Sequence, residues 1–444
     1  MADLEPRHAE ARVLARSEHG LSRAQISPNA LKVLYRLHHA GFLAFLVGGA
    51  VRDILLGRKP KDFDIGTNAR PQQVRQLFRN ARVIGRRFRL AMIRFADETV
   101  EVATFRKSPE PPEADPGENA DVLAPAAEAE EFGTPEEDAR RRDFTVNGLF
   151  YNVADFSIVD HVGGLEDLAR GVIRTIGPAP ERFTEDPVRM MRAVEYAARL
   201  GFRLDDAAAD AIAALHAEIR RAAPARIAYE LLESLKSGHA TAILQGLEGA
   251  GLLDHVLPEI AETARGPAGP LLWSLLALTD RRIAAGEAVT EETLFGSLLL
   301  PRFLAELKGP AGAIRPAGEV EALAKSVVEP PAVRLAFPHH RAHLIRSAFL
   351  LMARFQQPPR SAKHVLRTLK HEAFEVAWRL AADLEAADGA PQLELAPWRQ
   401  AVARVRAGLA PELAASHSAP TVEGRRRRRR GGARRRRKKG AAPA

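Results

Sequence analysis

The chain of 444 residues contains no cysteine. That absence excludes structural disulfides, thiolate zinc sites and cysteine nucleophiles together. No run of about 18 apolar residues occurs either, and the opening MADLEPRHAE is polar and charged, so neither a membrane-spanning helix nor a secretory leader is expected and a cytoplasmic protein is the default. A repeat of fixed period is also missing. Two segments lack charge of one sign. Between Ser108 and Asp138 acids, prolines and alanines abound without a single Lys or Arg, the composition of a mobile acidic loop. The end of the chain is the reverse: Arg425 to Arg430 and Arg434 to Lys439 are twelve cations with no acid among them. The formal net charge is +9, and removing those twelve leaves −3, so the rest of the protein is near neutral. Such a tail builds no core and is expected to be disordered. It fits an electrostatic grip on a phosphate backbone, with a solubility tail or an anionic-membrane contact as the other readings.

What is present is a normal apolar fraction, 46%, in a length sufficient for two or three domains. The first forty residues are helical in pattern and rich in charge. FLAFLV (Phe42 to Val47) is then an apolar run of strand length, followed by Gly48-Gly49 and the helical pattern AVRDILLG. A second strand carries KDFDIGT, the helix PQQVRQLF follows, and AMIRF-ADE-TVEVATF reads as a hairpin. LFYNVA and FSIVD add two strands, after which HVGGLEDLARGVIRTIG leads away from the sheet. Beyond about Gly177 the pattern is almost wholly helical. The expected fold class is α+β: a small mixed-sheet head, an all-α neck and body, and a disordered basic C-terminal tail. The expected divisions are a helical extension 1–40, a catalytic head 41–177 interrupted by the acidic loop 108–138, a neck 178–240 for nucleotide-base and RNA binding, a body 241–415 for RNA binding and a tail 416–444.

The chemistry concentrates in the head. In a strand, alternate residues share a face, so Asp62 and Asp64 of KDFDIGT would point one way and Phe63 and Ile65 the other. Two carboxylates on one rigid face fit a metal site; a strand edge running into the turn Gly66-Thr67-Asn68 is the alternative. VGGAVRD places a glycine pair between strand and helix, where backbone N–H groups approach a phosphate and Arg52 adds charge, or where the chain makes an ordinary tight turn. The two motifs lie on sequential elements of one sheet. Phosphate and carboxylates together call for a divalent cation, and Mg²⁺ suits an oxygen-only site, as a pair of ions in nucleotidyl transfer, with Mn²⁺ as a substitute. Glu101 completes a cluster with Asp62 and Asp64 if its strand lies beside theirs. In EDPVRMMR, Asp186 and Arg189 stand three apart on a helix, one accepting and one donating, a pair able to read a base edge; Asp186 as a simple N-cap is the competing reading. Arg192 and Arg199 continue the cationic side. PARIAYELLESL reads as a structural helix with Arg226 and Glu230 as an i, i+4 pair. His339, His340 and His343 read as a surface helix start, and the aromatics Trp273, Phe303, Phe337, Phe355 and Trp398 as core.

GGAVRD, DFDIGT, RRDFTVNGLFYN and EDPVRMMRAV, in this order, resemble the head and neck motifs of the class II nucleotidyltransferases of the polymerase β superfamily, which add nucleotides to RNA 3′ ends. The resemblance runs roughly from Phe42 to Gly238. Within the family, VIGRRFRLAMIRF, with Arg86, Arg87 and Arg89, and the arginine-rich tail, with Arg425 and Arg434, are similar to the bacterial poly(A) polymerase branch rather than to the CCA-adding branch. The resemblance implies a polynucleotide adenylyltransferase that uses ATP, RNA 3′ ends and two Mg²⁺ ions and releases pyrophosphate, and it allows RNA-decay proteins as partners. It implies Asp62 and Asp64 as metal ligands; Glu101 and Asp143 as further catalytic groups, Asp143 without metal contact; and Gly48, Gly49, Arg52, Arg142, Asn147, Asp186, Arg189 and Arg192 around the nucleotide. Arg86, Arg87, Arg89, Arg425 and Arg434 would meet RNA. A CCA-adding enzyme and a noncatalytic RNA-binding protein on the same scaffold are the rival readings.

Overall fold

The computed structural model describes residues 11–84, 90–107, 132–308, 315–387 and 395–407. Arg86, Arg87, Arg89, most of the acidic loop, and the basic tail with Arg425 and Arg434 lie outside the described residues. The head is an eight-stranded mixed sheet built from β1 (Arg12–Leu14), β2 (Ala44–Val47), β3 (Asp64–Thr67), β4 (Ala81–Ile84), β5 (Leu90–Arg94), β6 (Thr99–Thr104), β7 (Leu149–Asn152) and β8 (Ile158–Asp160). Their spatial order is β1-β8-β7-β2-β3-β6-β5-β4, with β3 and β6 parallel and the other neighbours antiparallel. Helices α1 (Pro28–His39), α2 (Gly49–Leu55), α3 (Pro71–Leu77), α4 (Pro135–Arg141) and α5 (Gly164–Arg170) accompany it.

β2 is a continuous apolar run because both of its faces are covered. Leu46 packs into the head core with Val33, Leu37, Val51 and Ile65, while Phe45 and Val47 face a small cluster with Phe105 and Phe150. Phe45 meets Phe105 and Phe150 edge to face at centroid distances of 6.0 and 5.9 Å, and Phe105 and Phe150 lie tilted at 6.3 Å, favourable aromatic geometry. Gly66 in β3 is required there, since a Cβ would lie 2.6 Å from the Phe105 ring.

Beyond the head come α6 (Ala179–Glu185), α7 (Val188–Leu200), α8 (Asp206–Leu215) and α9 (Pro224–Lys236), then ten helices, α10 to α19, between Ala240 and Arg406 among the described residues. One apolar core runs through all of them, from Phe144 and Val146 at the end of the head to Trp398 and Val402. Among the described residues no helix is long and apolar enough to cross a membrane.

Two local expectations are corrected. The N-terminal forty residues are not helical throughout: Arg12–Leu14 forms β1 on the exposed edge of β8, because the edge groups of a three-residue strand still need a partner. The end of the acidic loop is ordered as well. Phe132 bridges to Arg106, and Thr134-Pro135-Glu136-Glu137 starts α4 with a capping box, the Thr134 hydroxyl accepting from the Glu137 N–H and the Glu137 carboxylate from the Thr134 N–H. High acid content concealed a regular helix start.

Candidate active site

Register places the site. β2 runs antiparallel to β3 with Val47 opposite Asp64, so the glycine turn that follows Val47 stands beside the start of β3. β3 and β6 are parallel with Ile65 opposite Val102, which sets Glu101 next to Asp64. On the other side Val47 faces Phe150 of β7, bringing Asn147 to the same end of the sheet. Asn147, Gly48, Asp64 and Glu101 thus form a row across four adjacent strands, at about 4.8 Å per strand.

Asp62 lies in the loop just before β3 rather than within the strand. The shared face expected of Asp62 and Asp64 is therefore not a strand face, yet their charges remain coupled. Asp64 is open to solvent but stands between cleft walls that displace bulk water; that desolvation, then Asp62, then Glu101, push its carboxyl up to about 6, with Arg142 pulling the other way. Burial and then Asp62 raise Glu101 as well. The cluster carries more negative charge than its neighbours neutralise.

Gly48 turns the chain with φ 70° and ψ −132°, a conformation L side chains rarely adopt, and a Cβ there would lie 2.8 Å from an Arg142 guanidinium nitrogen. Its N–H donates to the Leu149 carbonyl at 3.1 Å. The glycine gives Arg142 room to lie over the turn. Arg142 donates to Asp138 at 3.1 Å and to the Asn147 carbonyl at 3.3 Å, and it sits over the Phe150 ring at 5.2 Å. Arg52 is a correction: it is 2% exposed, donates to Asp53 at 2.8 Å and to the Asn147 side chain, and stacks on Tyr196 at 5.1 Å. It orients Asn147 from behind and does not line the cleft.

Asp143 is the hinge between head and neck. One oxygen accepts from the Phe144 N–H at 2.8 Å and the Asn147 amide at 3.0 Å; the other accepts two guanidinium bonds from Arg192, at 2.9 and 2.7 Å. Burial raises its pKa, but the Arg192 charge and these hydrogen bonds outweigh it and hold the carboxyl below its usual value. Arg192, on α7, also donates to Glu230 of α9 at 3.3 Å and to the Tyr196 hydroxyl at 2.9 Å.

The expected Asp186–Arg189 pair does not form. Asp186 follows the end of α6, its carboxylate gripped by Arg226 of α9 at 2.9 and 2.8 Å, while Arg189 donates to the Arg182 carbonyl and to Glu185. Asp186 is extended, with φ −143° and ψ 92°, between α6 and α7, while Pro187 opens α7 in helical conformation, so Asp186 stands outside the helix that carries Arg189. Even so, Asp186 and Arg189 line one cleft of about 390 Å³ with Gly48, Gly49, Asp64, Arg142, Asp143, Asn147 and Arg192. Tyr196, Arg226 and Glu230 line it too. Sequence reasoning passed over Tyr196 and assigned the other two to a structural pair. The signal available was that Arg192 and Tyr196 share a face at i, i+4, as do Arg226 and Glu230.

A carboxylate cluster at the end of a mixed sheet, facing arginines across a head–neck cleft, defines a nucleotidyltransferase. The model of the poly A polymerase head domain matches residues 44–174, and that of a probable RNA and SrmB-binding site of polymerase A matches residues 201–263. Poly(A) polymerase I of Salmonella typhi is 41% identical over 384 residues, covering 83% of this chain and 80% of the relative, and that of Haemophilus influenzae is 33% identical, covering 88% of each. A crystal structure of the Bacillus stearothermophilus CCA-adding enzyme in complex with CTP aligns with a TM-score of 0.60 at 26% identity, over 86% of this chain and 84% of that one. The chain belongs to the poly(A) polymerase family.

Proposed function

We propose that the protein extends RNA 3′ ends with adenylate from ATP, without a template, acting in the cytoplasm through the head 41–177 and the neck 178–240. The observation that carries this reading is one cleft lined by Asp64, the central carboxylate of the cluster, and by Arg142, Arg189, Arg192 and Arg226. The RNA 3′ oxygen attacks the α-phosphorus of ATP; the new O–P bond forms as the bond to the β-phosphate oxygen breaks, the hydroxyl proton is lost and pyrophosphate leaves.

The donor set fits divalent magnesium or manganese. It is oxygen-only, and burial followed by the Asp62 charge pushes the carboxyls of Asp64 and Glu101 up. Among the described residues no three His, Asp or Glu side chains come together to hold a metal ion, so Asp62 and Asp64 would be the protein ligands of two ions, with Glu101 assisting and the remaining ligands triphosphate oxygens and water. When bound, the metal supplies charge neutralisation at the phosphates and a lowered pKa for the attacking hydroxyl. Arg142, lying over the glycine turn, meets triphosphate oxygens as a planar cationic fork. Asn147, fixed between Arg52 and Asp143, faces the ribose. Asp143 holds Arg192 and Asn147 in place and touches no metal. Asp186, Arg189 and Arg226 form a polar frame for the base, in which the Asp186–Arg226 bonds fix the frame's width.

Incorporation of α-labelled ATP into an oligoribonucleotide, with stoichiometric pyrophosphate release, checks this. The Asp64→Asn protein is expected to lose at least about a hundredfold in rate. Undiminished incorporation by that variant would overturn the assignment of Asp64, and no incorporation by the unaltered protein would return the noncatalytic scaffold to consideration.

A further inference from the structure

The helical body carries a basic trough outside both matched regions. Helix α14 (Glu291–Leu307) starts against the end of α9, with Lys236 2.7 Å from Glu291, and Arg341 in the first turn of α16 (His339–Phe355) reaches Glu291 and Glu292. Helix α16 thus begins beside the neck. Its last turn carries Arg354, about 20 Å farther along at the helical rise. There, Arg354, Gln357, Arg360, His364 and Arg367 line a cavity of about 610 Å³ with no acid in its wall. A second cavity of about 370 Å³ shares Arg354, Gln357 and Arg360 and extends the first toward Arg315, which pairs with Glu319; Glu321 is the one acid in its wall.

Charge balance distinguishes the trough from most arginines of the body, although among the described residues Arg281 and Arg404 also lack a carboxylate partner. Elsewhere in the body Arg302, Arg334, Arg346, Arg379 and Arg399 each lie against a carboxylate. Among the described residues Arg354, Arg360 and Arg367 have no such partner. All three are exposed, so their charges face water rather than one another's counter-ions. The wall behind them is rigid: Trp398 of α19 (Ala396–Arg406) is fully buried, donates to the Gln357 carbonyl at 2.7 Å, and meets the His364 ring edge to face at 5.4 Å. The Arg360 N–H donates to His364 Nδ1 at 3.3 Å, which leaves the neutral ring's proton on Nε2 as a further donor. Burial, followed by Arg367, Arg360 and Arg354, holds His364 below its ordinary pKa, as expected where cations converge.

We propose that this trough binds the phosphate backbone of RNA upstream of the 3′ end held in the cleft. The inference rests on RNA being the substrate. An elongated double cavity with separated guanidiniums suits successive phosphates of a chain better than one small anion, and Arg is suited to phosphate oxygens.

The test uses the full-length protein and a triple variant, Arg354→Gln, Arg360→Gln and Arg367→Gln, none of them buried. Binding of a labelled 30-nucleotide single-stranded RNA is titrated across salt concentrations, and extension with ATP is compared on that RNA and on a six-nucleotide primer. The variant is expected to bind the long RNA about tenfold more weakly, with the salt slope reduced by about 2 for three lost single-strand contacts, and to keep the KM for ATP on the short primer. An unchanged affinity and slope for the long RNA would overturn the trough's role, as would an equal loss on both primers, which marks a structural defect. If the unaltered protein neither binds RNA nor extends it, the functional reading fails instead, so the two failures are distinguishable.

Discussion

Asp64 and Arg192 carry the most direct residue-scale consequences. The folded protein pushes the Asp64 carboxyl up to about 6, from an ordinary aspartate value of 3.8. Its ionisation therefore costs stability: the cost is absent below the lower value and complete above the upper one. Without divalent cations, Asp64→Asn should raise the melting temperature relative to the parent at pH 7.5, with the gain vanishing toward pH 4; a pH-independent difference would contradict the coupled cluster. Arg192 acts in the opposite sense, since its removal strands the Asp143 carboxylate against the neck core. Arg192→Ala is expected to lose about 3 kcal/mol in urea unfolding, and Arg192→Lys to recover only part, because an ammonium replaces a two-pronged fork. Full recovery of the parent's stability by Arg192→Lys would refute the bidentate role. At this scale the residue types of the cleft were legible in the sequence, and their partners were not. Asp186 stands three residues from Arg189 and forty from Arg226, and it binds the distant one. Likewise Arg52 reads as a phosphate ligand from its place after a glycine pair, but burial beneath Tyr196 and Asn147 turns it into a support.

The glycine turn and α4 decide the site's shape at the scale of elements. Gly48→Ala forces a side chain into positive φ and into Arg142, so a stability loss of about 2 kcal/mol is expected together with a raised KM for ATP. A variant with normal KM would show that Arg142 does not need the space. Helix α4 carries Asp138, which orients Arg142. Replacing its cap, Thr134→Ala, is predicted to cost about 1 kcal/mol in unfolding and to weaken ATP binding severalfold, measurable by denaturant titration and calorimetry. Most strands and helices of the head could be read from apolar runs and turn residues. The short β1 and the capped start of α4 could not, because a three-residue edge strand has no period to detect and an acid-rich segment mimics a loop. In the body, Phe303, Phe337, Phe355 and Trp398 are core, as their apolar surroundings in the sequence indicated. The trough of unpaired arginines had no such signal, since it depends on which cations lack acids in three dimensions.

For the whole molecule, the head and neck are joined by charge as much as by packing: Lys61 reaches Glu233 at 2.6 Å, Arg58 donates to the Arg199 and Leu200 carbonyls, and Arg192 bridges Asp143 and Glu230. This joint holds the carboxylate row opposite the neck arginines. The tail carries twelve cations; with these on the RNA backbone, truncation after Glu423 is expected to lower the salt slope of RNA binding by several units and shorten products as salt rises. A slope unchanged by truncation would assign the affinity to the folded part alone. The central claim, adenylate addition to RNA without a template, is tested most directly by sizing products made with Mg²⁺ and each nucleoside triphosphate, singly and mixed, on a generic oligoribonucleotide and on a tRNA lacking its CCA end. A long ladder on the generic RNA with ATP alone is the expected result. Addition that requires CTP as well as ATP, occurs only on the tRNA and stops after three nucleotides would contradict it.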